Sequence, residues 1–166
     1  MLLKTQRLAL RPHALTDVAF MLELNSDPEV VRYTGNVPFE SEDEARLVIE
    51  QLMLQYRERR MGRFVVEDLN TGEKLGWCGL KWHPDKGVAD LGYRFHKRHW
   101  GKGYATEAGR ACLSYGFDEL KLPRIVADAE PENLASIHVL EKLGFIQTGP
   151  TTCEGRLALG FLLLRP

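Results

Sequence analysis

The sequence predicts an α+β domain with a mixed, mostly antiparallel sheet of seven strands flanked by helices. The predicted order is strand, two helices, three strands, helix, strand, helix, two strands. Three observations predict it. Segments whose apolar residues alternate with period two are interleaved with segments at helical spacing. The three central strands are joined by short polar turns, which suit antiparallel neighbours. After them the pattern changes to helix, strand, helix and two closing strands, which gives a mixed sheet. The 166 residues are 44% hydrophobic and 27% charged, a composition for one folded domain. No repeat, low-complexity tract or linker divides them.

Each element has its own warrant. From Thr5 to Pro12, Leu8 and Leu10 lie on one face and Arg7, Ala9 and Arg11 on the other, a half-buried strand. Thr16 or Asp17 caps a first helix carrying Val18, Met21 and Leu22 and ending near Asn25. Ser26-Asp27-Pro28-Glu29 starts a second short helical turn. Thr34 to Phe39, with Gly35, Asn36 and Pro38, is a loop. Ser41-Glu42-Asp43-Glu44 is a capping box. Behind it Ala45, Val48, Ile49, Leu52, Met53 and Tyr56 mark the clearest amphipathic helix, ending in Arg57, Arg59 and Arg60. Strands follow at Arg63 to Glu67, Lys74 to Lys81 and Val88 to Phe95. Tyr104 to Leu120 is a helix, Arg124 to Ala129 a strand, and Asn133 to Leu143 a helix closed by Gly144. Strands at Phe145 to Thr148 and Arg156 to Leu164 complete the sheet.

Several function classes lose support. With 22 Lys and Arg against 23 Asp and Glu, general basicity does not point to nucleic acid. The longest apolar run, Leu157 to Leu164, is far short of a bilayer span, and Met1 to Arg7 lacks a signal-peptide core. A cytoplasmic protein is expected. Cys78, Cys112 and Cys153 form no C-x-x-C pair and read as small buried residues in a reducing compartment. The five histidines, His13, His83, His96, His99 and His138, do not make a ligand set, so no metal is expected.

The chemistry is concentrated between Val88 and Thr106. A strand ends near Phe95, His96-Lys97-Arg98-His99-Trp100-Gly101-Lys102-Gly103 follows, and a helix opens at Tyr104. Glycines between a strand and a helix N-terminus let backbone N–H groups approach an anion, and the helix dipole favours phosphate. Lys97, Arg98 and Lys102 add positive charge in a nearly neutral chain. The G-x-x-x-x-G-K-[ST] phosphate loop fails because Gly103 follows Lys102. The G-x-G-x-x-G dinucleotide fingerprint fails at Thr106.

Arg98-His99-Trp100-Gly101-Lys102-Gly103-Tyr104-Ala105 resembles the acyl-CoA pyrophosphate loop of the GNAT N-acetyltransferase superfamily, [QR]-x-x-G-x-[GA]. Asn133-Leu134-Ala135-Ser136 and Leu140-Glu141-Lys142-Leu143-Gly144-Phe145 resemble its later helix and the strand start beyond it. The element order also matches. The opening Thr5-x-Arg7-Leu8-x-Leu10-Arg11-Pro12 and the run from Trp100 to Ala108 are similar to the branch of ribosomal-protein N-terminal alanine and serine acetyltransferases.

The resemblance implies acetyl-CoA as cosubstrate and direct transfer to an amine, with no metal. The loop from Arg98 to Ala105 would bind the pyrophosphate through its amides. Leu91, Tyr93, Arg94, Phe95 and His96, on the preceding strand, would pair with the pantetheine arm. The amide near Arg94 would stabilise the oxyanion, and Gly92 would allow the strand to splay. Asp90 stands where many relatives have Glu and would take the amine proton, directly or through water. Leu140 stands where many carry a general-acid Tyr, so Ser136 becomes the donor to the leaving thiolate. Asn133 would touch the pantetheine, cap its helix, or both. Tyr33, Trp82 and Tyr93 would line the acceptor cleft. The acceptor would be a protein or peptide α-amino group, or else a small amine such as an amino acid derivative, polyamine or aminoglycoside. A CoA-binding module without turnover is the rival of another class. The chain would work as a monomer, or as a homodimer paired through the strand at Arg156 to Leu164.

Overall fold

The computed structural model describes residues 2–166. Eight strands form one sheet in the order β1-β2-β3-β4-β5-β6-β8-β7. They are β1 (Leu3–Lys4), β2 (Leu8–Pro12), β3 (Arg63–Asp68), β4 (Lys74–His83), β5 (Val88–Phe95), β6 (Arg124–Ala129), β7 (Ile146–Cys153) and β8 (Arg156–Leu164). The helices are α1 (Val18–Ser26), α2 (Pro28–Val31), α3 (Glu42–Arg59), α4 (Tyr104–Ser114) and α5 (Leu134–Lys142). The fold is the mixed α/β class expected, with eight strands rather than seven. The extra strand, β1, pairs Leu3 with Leu10 and Lys4 with Ala9. Two residues are too few to carry a period-two signal.

Every neighbouring pair is antiparallel except β5 with β6. Both faces of the sheet are covered. Phe64, Val66 and Leu80 pack with Ala108 and Cys112 of α4 and Leu140 of α5. On the opposite face Val65 packs with Phe20 and Leu24 of α1 and Val30 of α2. The α3 stripe of Ala45, Ile49 and Leu52 closes on Val18 and Met21. Ser41 caps α3 through its hydroxyl, and the Glu44 carboxylate returns to the Ser41 N–H at 2.9 Å. The acidic start of α3 therefore serves its own helix end.

Four expectations change. The helix from Tyr104 is α-helical only to Ser114 and then widens to π-type turns over Tyr115–Glu119. The hairpin strand β7 runs to Cys153, well past Thr148. β8 lies between β6 and β7, so its main-chain groups are already paired and β7 is the edge. Leu159 to Leu162, paired on both sides, therefore offer no edge to a second copy. Cys78 and Cys112 are buried free thiols, Cys112 donating to the Cys78 sulfur at 3.7 Å, but Cys153 is exposed, on the β7 edge. Among the described residues no helix is long and apolar enough to cross a membrane.

Candidate active site

The site begins where β5 and β6 part. They pair only at Ala89–Ile125 and Asp90–Val126, although β5 continues to Phe95 and β6 to Ala129. The splay is not a break inside β5, as Gly92 had suggested. The β4–β5 register runs unshifted from Gly76–Phe95 to His83–Val88. Gly92 instead leaves room for a side chain, since a Cβ there would lie 2.6 Å from the Arg63 guanidinium.

The unshifted register also fixes which amides face the gap. The His96 N–H donates to the Leu75 carbonyl of the β4 side at 3.0 Å. Main-chain direction alternates along a strand, so Arg94 shares the direction of His96 and turns to β4. Tyr93 and Phe95 turn to the gap. The Phe95 carbonyl accepts the Trp100 indole N–H there, at 2.8 Å. The Arg94 amide itself therefore does not face the gap, and those of its neighbours Tyr93 and Phe95 do.

A cavity of about 440 Å³ occupies the splay. One side is Tyr33 and Thr34 beyond α2, the floor is Tyr93 and Arg94, and the other side is Asn133 and Ser136 at the start of α5. Its far end is the turn Trp100 to Ala105. Gly101 and Gly103 hold φ of 72° and 80°, and nothing lies within 4 Å of where a Gly101 Cβ would sit. Left-handed backbone at both positions turns the chain sharply into the N-terminus of α4 and leaves its amides open. Arg7, which the sequence did not single out, braces this turn. It donates to the Lys102 carbonyl (3.0 Å), pairs with Glu107 (2.7 Å) and stacks over Tyr104.

The basic cluster is more dispersed than its spacing suggested. Arg98 reaches back to Glu23 and Glu73 and Lys97 to Glu29. His96 packs edge-on to Phe20, and His99 to Tyr104 while binding Glu73 at 3.0 Å. The main chain of the turn and Lys102 are left for an anion. Leu91, like Tyr104 and Ala105, packs with the α4 side of the core.

At the mouth of α5, Asn133 caps the helix by accepting the Ser136 N–H at 3.2 Å. The Ser136 and Tyr93 hydroxyls lie 2.8 Å apart, and the Tyr93 O–H also reaches the Ser136 carbonyl at 3.1 Å. Burial pushes the Tyr93 phenol up, against the pull of its bond to Ser136, so it stays protonated. The sequence offered Ser136 alone as donor; the structure joins it to Tyr93.

Asp90 lies on the other face of β5, on the side of Arg94. Its carboxylate accepts from Arg63 (2.8 Å) and pairs with His83 Nε2 (2.9 Å). Burial raises this carboxyl, but the Arg63 and His83 interactions outweigh it and hold it at about 2. It is a carboxylate at every working pH and binds protons weakly. Neither Arg63 nor His83 was legible as a partner, because register across β3, β4 and β5 brings them together. Trp82 does not line the cavity. It lies on the α4 face of β4, against the core and under Arg59. Among the described residues no three His, Cys, Asp or Glu side chains gather as a metal set.

Residues 7–146 match the acetyltransferase (GNAT) domain family. The chain belongs to the GNAT family. An uncharacterized N-acetyltransferase, p20 of Bacillus licheniformis, is 38% identical over 89% of this chain and 83% of its own. The solved GNAT acetyltransferase of Bacillus anthracis superposes with a TM-score of 0.86 at 28% identity over 99% of both chains. A spermidine N-acetyltransferase from Vibrio cholerae, solved with CoA and spermine, gives a TM-score of 0.79 at 27% identity over 97% of both. The protein is therefore an N-acetyltransferase, and acetyl-CoA is the donor that the family uses. An open strand edge, a glycine turn and a helix N-terminus in one cleft fit a long thioester arm joined to a diphosphate.

Proposed function

We propose that this enzyme moves the acetyl group of acetyl-CoA to the α-amino group of a protein or peptide, in the cytoplasm, by direct attack in a ternary complex. The observation that carries it is the splay between β5 and β6. It runs from the glycine turn at one end to the Tyr93–Ser136 hydroxyl pair and the Thr34 to Phe39 loop at the other. The sequence runs at Thr5 to Pro12 and Trp100 to Ala108 support the ribosomal-protein N-terminal branch.

The geometry supports the following roles. The pyrophosphate lies on the amides from Arg98 to Ala105, and the pantetheine arm along Leu91 to His96 and Asn133. The acceptor nitrogen bonds to the thioester carbon and the carbon–sulfur bond breaks. The Tyr93 N–H receives the developing oxyanion. Ser136, oriented by the Tyr93 hydroxyl, donates a hydrogen bond to the departing thiolate, which takes its proton from water. Asp90 stands three residues from Tyr93, about 10 Å along the strand, so the amine proton leaves through water toward the Asp90–His83 pair. The site is complete within one chain, so a monomer can act.

Ser136→Ala is expected to lower kcat about a hundredfold with KM for acetyl-CoA within about twofold, and Tyr93→Phe to follow it. Thiol release from acetyl-CoA over a panel of peptides, amino acids and polyamines measures both. No release above the Ser136→Ala level with any amine would leave a CoA-binding module without turnover. The spermidine-acetylating neighbour favours one second reading, a polyamine acceptor, which the same panel tests. Asp90→Asn removes the counter-charge of Arg63. It is expected to reduce kcat about tenfold or more without removing an acid limb near neutral pH, because a carboxyl held at about 2 does not titrate there.

A further inference from the structure

The Arg94 side chain has no part in the chemistry above, yet it sits on the cavity floor. One of its terminal nitrogens donates to the Asn25 side-chain oxygen and the other to the Asn36 oxygen at 3.1 Å. The guanidinium lies over the Trp77 ring at 5.1 Å. Its Nε is sealed from solvent and has no partner. Both acceptors are neutral amides, and no carboxylate lies within 4.0 Å of it among the described residues. Arg63, on the same Trp77 ring at 5.4 Å, is neutralised by Asp90. Glu154 is the nearest acid to act on Arg94, but its carboxylate is turned to the Asn36 amide, 3.4 Å away. The acceptor end of the cleft thus carries one positive charge in a fixed orientation with no carboxylate in direct contact, Glu154 acting on it only from beyond Asn36.

A guanidinium removed from water is expensive unless an anion meets it. Its fork matches a carboxylate, and stacking on an indole holds it flat to receive one. We infer that the acceptor amine carries a carboxylate a few bonds from its nitrogen, and that the Arg94 guanidinium binds that carboxylate. The inference rests on the acetyl-transfer reading and sharpens it. It fits a free α-amino acid, through its own carboxylate, or a peptide whose first residue is acidic. It disfavours polyamines, whose ammonium groups would meet the Arg94 guanidinium.

The test pairs acceptors that differ only in charge, each assayed by thiol release under saturating acetyl-CoA. Free L-amino acids are set against their carboxamides. Tripeptide amides beginning with Asp or Glu are set against those beginning with Asn or Gln. At least one pair is expected to show kcat/KM about tenfold or more higher for the carboxylate member. Preference within the first set identifies a free amino acid, and within the second a peptide. In Arg94→Gln that ratio is expected to fall to within about twofold, the neutral member serving as the internal reference. Equal kcat/KM in every wild-type pair, a preference for neutral or polycationic amines, or a ratio that survives in Arg94→Gln overturns the inference and leaves acetyl transfer standing. Absence of thiol release with every amine defeats acetyl transfer and the inference together. The wild-type pairs decide the matter even if Arg94→Gln fails to fold.

Discussion

Asp17→Ala is expected to destabilise the fold by about 3–5 kcal/mol, the largest loss of any single side chain here. Asp17 is fully buried beside the start of α1. Its two oxygens take Arg11 through both terminal nitrogens (2.8 and 2.9 Å), Lys74 (2.7 Å) and the Ala14 N–H (2.9 Å). Removing it leaves Arg11 with Glu67 but strands Lys74 and the Ala14 amide. For a domain of this size the loss corresponds to a Tm drop on the order of 10 °C, read by thermal denaturation. A drop of only a degree or two would mean that water replaces the carboxylate without penalty.

The same corner of the molecule gives the fold a two-stage sensitivity to acid. Burial lowers the His13 imidazole from 6.5 to about 4, and neither of its ring nitrogens has a partner. Between those values the unfolded chain binds a proton that the folded chain refuses. Stability is therefore complete above about pH 6.5 and declines by about 3 kcal/mol down to about pH 4. For Asp17, burial would raise the carboxyl, but the bonds from Arg11 and Lys74 outweigh it and hold it far below the ordinary range. Its stabilisation is complete above about pH 4 and is lost only as pH falls through that depressed native value. His13→Leu is expected to flatten the first stage and leave the second. Denaturant titrations carried from about pH 8 down to about pH 2 show whether it does.

Gly101→Val is expected to weaken acetyl-CoA binding at least about tenfold while the fold survives. A β-branched residue at φ of 72° is strained by about 1–2 kcal/mol. The new side chain clashes with nothing in the protein itself, because the space around the Gly101 Cβ position is open. It would fill the approach to the amides between Trp100 and Tyr104. Calorimetric titration with acetyl-CoA, beside a melting curve, separates the two effects. Unchanged affinity would move the diphosphate away from this turn and remove the main support for the proposed site.

The glycine turn was legible because it is local: strand end, two glycines and helix start lie within ten residues. So were the capping box of α3, the helical stripe behind it and the Asn133 cap, each set by groups three or four residues apart. The eight-stranded sheet was read one strand short because Leu3–Lys4 has no period of its own. Trp82 was expected in the acceptor cleft, whereas strand alternation turns it to the α4 face. Asp90 was read as a proton acceptor from its position alone, and its weak proton affinity comes from Arg63 and His83 on neighbouring strands.

Fold class, the family and the glycine turn were thus determined by the sequence itself, since each rests on periodicity or contiguous residues. The tertiary structure decided which amides face the gap, that Tyr93 backs Ser136, and that Arg94 has no carboxylate in direct contact. Those facts depend on strand register and on contacts such as Arg94 with Asn25 and Asn36, 69 and 58 residues away. A charge is paired or orphaned only when the chain has folded around it, because electrostatic energy depends on distance and burial, which spacing along the chain does not encode.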